Sequence, residues 1–131
     1  MNDRKRLGKL AALTKLHLGH FQRELARLKD EESEVQTTLD RLNLAYTERA
    51  TNRMRNADPA LVAGADTRWQ VWVEQQREGY NLDIAALRIQ ITAAESQLRT
   101  ALMRNDVVKG MADQAHQDRK TSRSKAEDYE S

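Results

Sequence analysis

The sequence predicts an all-α chain, a long antiparallel two-helix coiled-coil hairpin, on three observations. The first is periodicity. Apolar residues recur every three and four positions through Leu7, Ala11, Leu18, Phe21, Leu25, Leu28, Val35, Leu39, Leu42 and Tyr46. They do so again through Val73, Tyr80, Ile84, Leu87, Ile91, Ala94, Leu98, Ala101, Val108, Ala112 and Ala115. Sustained heptads of this kind mark long helices that share a supercoiled seam. The second is symmetry: the two stripes mirror each other about Asp58-Pro59. Folding the chain back there pairs Tyr46 with Val73, Leu39 with Tyr80, Val35 with Ile84, Leu28 with Ile91, Phe21 with Leu98 and Leu7 with Ala112. Each pair of numbers adds to 119. The third is composition. A chain of 131 residues that is 32% charged and 5% aromatic, with five glycines and one proline, suits a helical rod that buries one stripe better than a globule with a deep core.

The first helix is expected from about Asp3 to Arg55, with Asn2 or Asp3 as its cap. The stretch Asn56-Ala57-Asp58-Pro59 then ends it. Asp58 before Pro59 is also a start signal, because the carboxylate accepts a free amide hydrogen while proline occupies a position that needs no donor. The second helix is expected to begin at Pro59 or, after Gly64, at Asp66 or Thr67, which puts the turn near 56–66, and to run to about His116. From Gln117 the apolar period is lost. The hairpin is therefore assigned to residues 1–117, and residues 118–131 to a polar tail that frays or stays disordered.

Layer by layer, large residues face small ones at Leu18 with Ala101, Leu25 with Ala94 and Ala11 with Val108, as interdigitation requires. From Leu7/Ala112 to Tyr46/Val73, the layers that break the apolar rule are Thr14/Asn105, Glu32/Leu87 and Leu42/Arg77. The first has the form of a register-fixing polar pair. Glu32 and Arg77 are defects unless they snorkel to water.

Positions opposite the seam should be polar, and in the second helix they are not. With Ile84 taken as a, the f series reads Leu82, Ile89, Ser96, Met103 and Gly110, with Leu102 and Val107 close by. An apolar outer stripe of this kind marks a partner. Leu82, Ile89 and Met103 are accordingly assigned to contact with another helix, from a second copy or a different protein. Trp69 and Trp72 share a side near the turn. With Leu61, Val62, Val71 and Val73 they are expected to cover the hairpin end over Tyr46 and Ala50, with docking as the alternative role.

Net charge is +2, but residues 1–30 carry eight Lys or Arg against three Asp or Glu. The hairpin returns the tail to the same end, so Arg4, Lys5, Arg6 and Lys9 should gather with Lys109, Arg119 and Lys120. Such an end steers toward an acidic protein surface or nucleic acid. Nucleic acid is the less favoured partner, since aromatic residues do not interleave the bases and Asp106, Asp113 and Asp118 lie among them.

Chemistry is sparse. Zero cysteines excludes disulfides and thiolate metal sites. No apolar run approaches 18 residues, so no transmembrane span is expected. Lys9, Lys15, His17 and His20 interrupt any secretory h-region, and a cytoplasmic protein is the expectation. His17 and His20 share a helical face but lack a third ligand, since the register puts His116 roughly 20 Å from His17. Glu31, Glu32 and Glu34 form a solvated acidic face. No phosphate-binding loop, nucleophile elbow or dinucleotide fingerprint is present. No catalytic residue, metal site or cofactor is assigned, and an enzyme is not expected.

A basic start, the run Arg6-Leu7-Gly8-Lys9-Leu10-Ala11-Ala12-Leu13, then Phe21, Leu25, Leu28, Val35, Leu39 and Leu42, a central proline turn and an antiparallel return together resemble one family. It is that of the flagellar export protein FliJ and its relatives in virulence type III secretion. The likeness is one of layout over residues 4 to about 120. It implies a cytoplasmic, non-catalytic stalk or adaptor that associates with the hexameric export ATPase and contacts the export gate and substrate chaperones. On that resemblance Arg4, Lys5, Arg6 and Lys9 would meet the ATPase, and Leu82, Ile89 and Met103 a second partner. The competing expectation is a self-associating structural module in which two hairpins form a four-helix bundle.

Overall fold

A computed structural model of the chain describes residues 2–55 and 59–130, with side chains described at 3–52 and 64–130. Two helices make it up, α1 over Asn2–Arg55 and α2 over Pro59–Glu130, packed against each other as an antiparallel hairpin. No strand occurs among the described residues. Asp3 lies in the first turn of α1, where a carboxylate complements the positive end of the helix dipole.

Of the two expected starts for α2 the earlier one is found, and its end lies beyond the expected one. Its start is at Pro59, so residues 59–66 are helical and do not belong to the turn. Proline suits the first helical position, and Ala60, Ala63 and Ala65 offset the cost of about 1 kcal/mol that Gly64 carries relative to alanine. Asp58, the expected cap, and the Leu61 and Val62 side chains, expected to cover the hairpin end, lie outside the described residues. At the other end, α2 does not stop near His116 but continues to Glu130. Every residue from His116 to Glu130 is exposed. Losing the apolar period removes packing, but this stretch contains no proline or glycine, and about half of it is Arg, Lys, Glu, Gln and Ala, which favour helix on their own. Local bonds accompany it: Gln114 Nε2 donates to Asp118 Oδ1 at 3.0 Å, and Thr121 Oγ1 donates to the Gln117 carbonyl at 3.0 Å.

The chain forms two compact units: unit 1 of Met1–Leu25 with Ala93–Ser131, and unit 2 of Ala26–Thr92. In unit 2 the seam is built of large side chains, with Leu28, Leu39, Val73, Ile84, Leu87 and Ile91 buried. In unit 1 the buried set is smaller in volume: Ala94, Ala101, Val108 and Thr14. Half-buried Leu7, Ala11, Leu18, Phe21, Leu25 and Leu98 flank them. All of these are heptad a and d positions.

The expected register is visible in the polar pairs. In unit 1, Thr14 Oγ1 lies 3.3 Å from Asn105 Oδ1 and 3.1 Å from the Ala11 carbonyl. One hydroxyl proton cannot fully serve both oxygens. The arrangement is complete if the Asn105 amide is turned over, so that its NH2 donates to Thr14 Oγ1 and the hydroxyl donates to Ala11. In unit 2, Arg77 is no defect. Its Nε donates to Asn43 Oδ1 at 2.7 Å, its Nη1 to Glu74 Oε1 at 2.9 Å, and its guanidinium lies 4.7 Å from the Tyr46 ring centre. Glu32 also reaches outward, its Oε2 3.9 Å from Arg88 Nε. With Arg88 66% exposed, that ion pair contributes little.

Candidate functional site

Three surfaces stand out. The first is the basic end of unit 1. Arg4, Lys5, Arg6 and Lys9 are all exposed on α1, as are Lys109, Arg119 and Lys120 on α2. Arg4 and Arg119 line one open depression of about 410 Å³ with Asp3, Leu7, Gly8, Ala112 and Ala115. The antiparallel return therefore brings basic residues from both ends of the chain together. Among the described residues none of these cations has an ion-pair partner, so their charge is available to an acidic surface.

The second surface is an open apolar groove on unit 1, about 530 Å³, lined by Leu10 from α1 and by Thr100, Met103, Arg104, Val107 and Met111 from α2, with Thr14 and Val108 at its floor. Met103, Val107 and Met111 succeed one another at four-residue spacing and so share one side of the helix. They are 68%, 62% and 50% exposed, and Leu10 is 42% exposed. Met103 was legible as an outer-face residue. Leu10 and Met111 were missed because they are g positions, beside the seam and not opposite it. In an antiparallel pair the g positions of the two helices lie on the same side, and that rule was the available signal.

The third surface belongs to unit 2. Leu82 and Ile89 are 65% and 73% exposed and lie two turns apart on one side of α2. Met103, grouped with them in the sequence, falls in unit 1 and lines the groove described above.

Near the turn, the two tryptophans have different surroundings. Trp69 stacks on Tyr46 with ring centres 5.7 Å apart and planes at 11°. The Arg49 guanidinium lies 4.5 Å from the Trp69 ring centre, and its Nε donates to Asp66 Oδ1 at 3.1 Å. With Arg77 over Tyr46, this makes a ladder from Asp66 through Arg49, Trp69 and Tyr46 to Arg77, Asn43 and Glu74. Asp66 is buried at a d position, where its charge needs that arginine. Trp69 is thus a packing residue. Trp72 is 49% exposed and Val71 54%.

His17 and His20 are exposed, and His20 lies edge-on to Phe21 at 5.2 Å. Among the described residues no three His, Asp or Glu side chains cluster as a metal site would need. No described helix is long and apolar enough to cross a membrane. No family model, no curated protein and no solved structure matches the chain.

Proposed function

We propose that the chain is a non-enzymatic coiled-coil adaptor of bacterial flagellar or type III protein export. In this role its basic end binds the hexameric export ATPase, and its apolar surfaces meet export-gate or chaperone proteins. On this reading it works in the cytoplasm and reaches the membrane only through partners. The observation that carries it is the exposed, unpaired basic cluster of Arg4, Lys5, Arg6 and Lys9, gathered with Arg119 at one end of a helical hairpin. The layout resemblance to FliJ supplies the pathway. The hairpin contributes stiffness and a recognition surface, and any effect on nucleotide turnover is exerted through the ATPase.

The test is capture of the tagged chain from its native host after mild crosslinking, with the recovered chains identified by mass. Recovery of the export ATPase, lost when Arg4, Lys5, Arg6 and Lys9 are all changed to Glu, supports the reading. Recovery of the chain alone rejects it.

A second reading is favoured by Leu82 and Ile89, exposed side by side on unit 2. Two hairpins could bury these stripes against each other as a four-helix bundle. Mass in solution separates the two readings. A dimer that dissociates on Leu82→Glu with Ile89→Glu belongs to the second.

A further inference from the structure

The groove of unit 1 has a feature that narrows what fits it. Its walls, Leu10, Met103, Val107 and Met111, are apolar, and Arg104 is the single charged residue among its lining. Arg104 is exposed and has no ion-pair partner among the described residues. Apolar walls around a lone cation call for an occupant that is apolar along one face and carries a carboxylate at one place on it. A second copy fits poorly. The lining holds no carboxylate, so twofold pairing of groove on groove buries Arg104 of each copy against apolar walls without a counter-charge.

We propose that this groove receives one amphipathic helix of a different protein, presenting apolar side chains at i, i+3 or i+4 and i+7 and an acidic residue opposite Arg104. The groove side chains on α2 run from Met103 to Met111, or roughly 12 Å of helix, so a partner helix of about three to four turns covers them. The occupant would lie along the hairpin as a third helix and bury Met103 and Val107, the two most exposed of the apolar wall residues. The inference rests on the adaptor reading only in that the occupant is another protein, and the basic end plays no part in it.

The probe is a pair of fluorescent, stapled helical peptides of about four turns, with leucines on the groove-facing positions and either Glu or Lys opposite Arg104. Anisotropy is measured against the full chain. The wild type should prefer the Glu peptide by about tenfold. Arg104→Glu should reverse that preference, Val107→Glu should abolish binding of both peptides, and Leu82→Glu in unit 2 should change nothing. Substitutions at exposed positions spare the seam, and helix ellipticity checks each variant. Absence of a Glu preference, a preference that survives Arg104→Glu, or equal loss on Leu82→Glu overturns the proposal. So does a dimer of the chain that Val107→Glu dissociates. The export ATPase enters none of these measurements, so the adaptor reading can fail while this one stands, and the reverse.

Discussion

Replacing Trp69 with alanine tests whether the ladder near the turn holds unit 2 together. Trp69 is half-buried between the Arg49 guanidinium and the Tyr46 ring. Half burial keeps roughly 100 Å² of the indole out of water, or about 2.5 kcal/mol at 25 cal/mol per Å². The offset stack on Tyr46 adds about 1 kcal/mol beyond that area. The contact with Arg49, a residue still 44% exposed, adds about 0.5 kcal/mol. Alanine returns about 0.5 kcal/mol through its higher helix propensity. The net loss is about 3.5 kcal/mol, measured by urea unfolding followed through helix ellipticity, which does not depend on the deleted fluorophore. Trp72→Ala is the control. That side chain is 49% exposed, and no ring or cation contact involves it among the described residues, so its loss should fall about 1.5 kcal/mol short of that of Trp69→Ala, the sum of the stacking and cation contributions it lacks. A Trp69→Ala loss below about 1 kcal/mol, or one indistinguishable from that of Trp72→Ala, would refute the assignment of Trp69 to packing.

The register gives a second test. Cysteines introduced at Leu18 and Ala101, facing positions of one layer, should oxidise to an intramolecular disulfide, while cysteines at Leu18 and Val108, one heptad out, should not. Asn105→Leu should raise the urea midpoint and allow the out-of-register pair to form, because it removes the polar partner of Thr14 that penalises slippage. Deleting residues 118–131 should lower ellipticity in proportion to the helix removed and leave the urea midpoint unchanged, since residues 118–130 are exposed throughout. Amide hydrogens of α2 should exchange faster in unit 1 than in unit 2, and a partner helix in the unit 1 groove should slow them. Uniform exchange across α2 would contradict the packing difference between the two units.

The seam was legible because burial in a hairpin follows periodicity and little else. The a and d positions inferred from spacing, from Leu7 to Tyr46 and from Val73 to Ala115, are all buried or half-buried. Thr14 and Asn105 meet as the pairing sum of 119 requires. Legibility failed where two signals are independent and the sequence shows only one. Period and propensity diverge in the tail, where the first ends near His116 and the second carries α2 to Glu130. They also diverge at Gly64, where a breaker among alanines does not break the helix. Arg77 looked like a fault in a linear pattern. Only the rotation of Tyr46 and Asn43 toward it shows where its guanidinium goes. The groove was half-legible, since an outer-face count finds Met103 but not Leu10 and Met111, whose side depends on the antiparallel pairing.

The seams of the two units differ in the volume they bury. The buried layers of unit 1 hold Ala94, Ala101, Val108 and the Thr14 pair, where unit 2 holds Leu28, Leu39, Ile84, Leu87 and Ile91. An alanine in place of a leucine or isoleucine gives up roughly 2 kcal/mol of burial at a fully buried site. Unit 2 adds the Asp66, Arg49, Trp69 and Tyr46 ladder to an already larger apolar seam. Both units leave apolar side chains outside their seams, Leu44, Val71, Trp72, Leu82 and Ile89 in unit 2 and Leu10, Met103, Val107 and Met111 in unit 1, and the unit 1 set lines a single apolar groove. Apolar area withheld from the hairpin is area that a third helix can bury, so an occupant stabilises unit 1 by mass action in proportion to its concentration over its Kd. A chain whose seam is thin where its groove is open couples partner binding to local order, whereas a seam as full as that of unit 2 would leave a partner little to add.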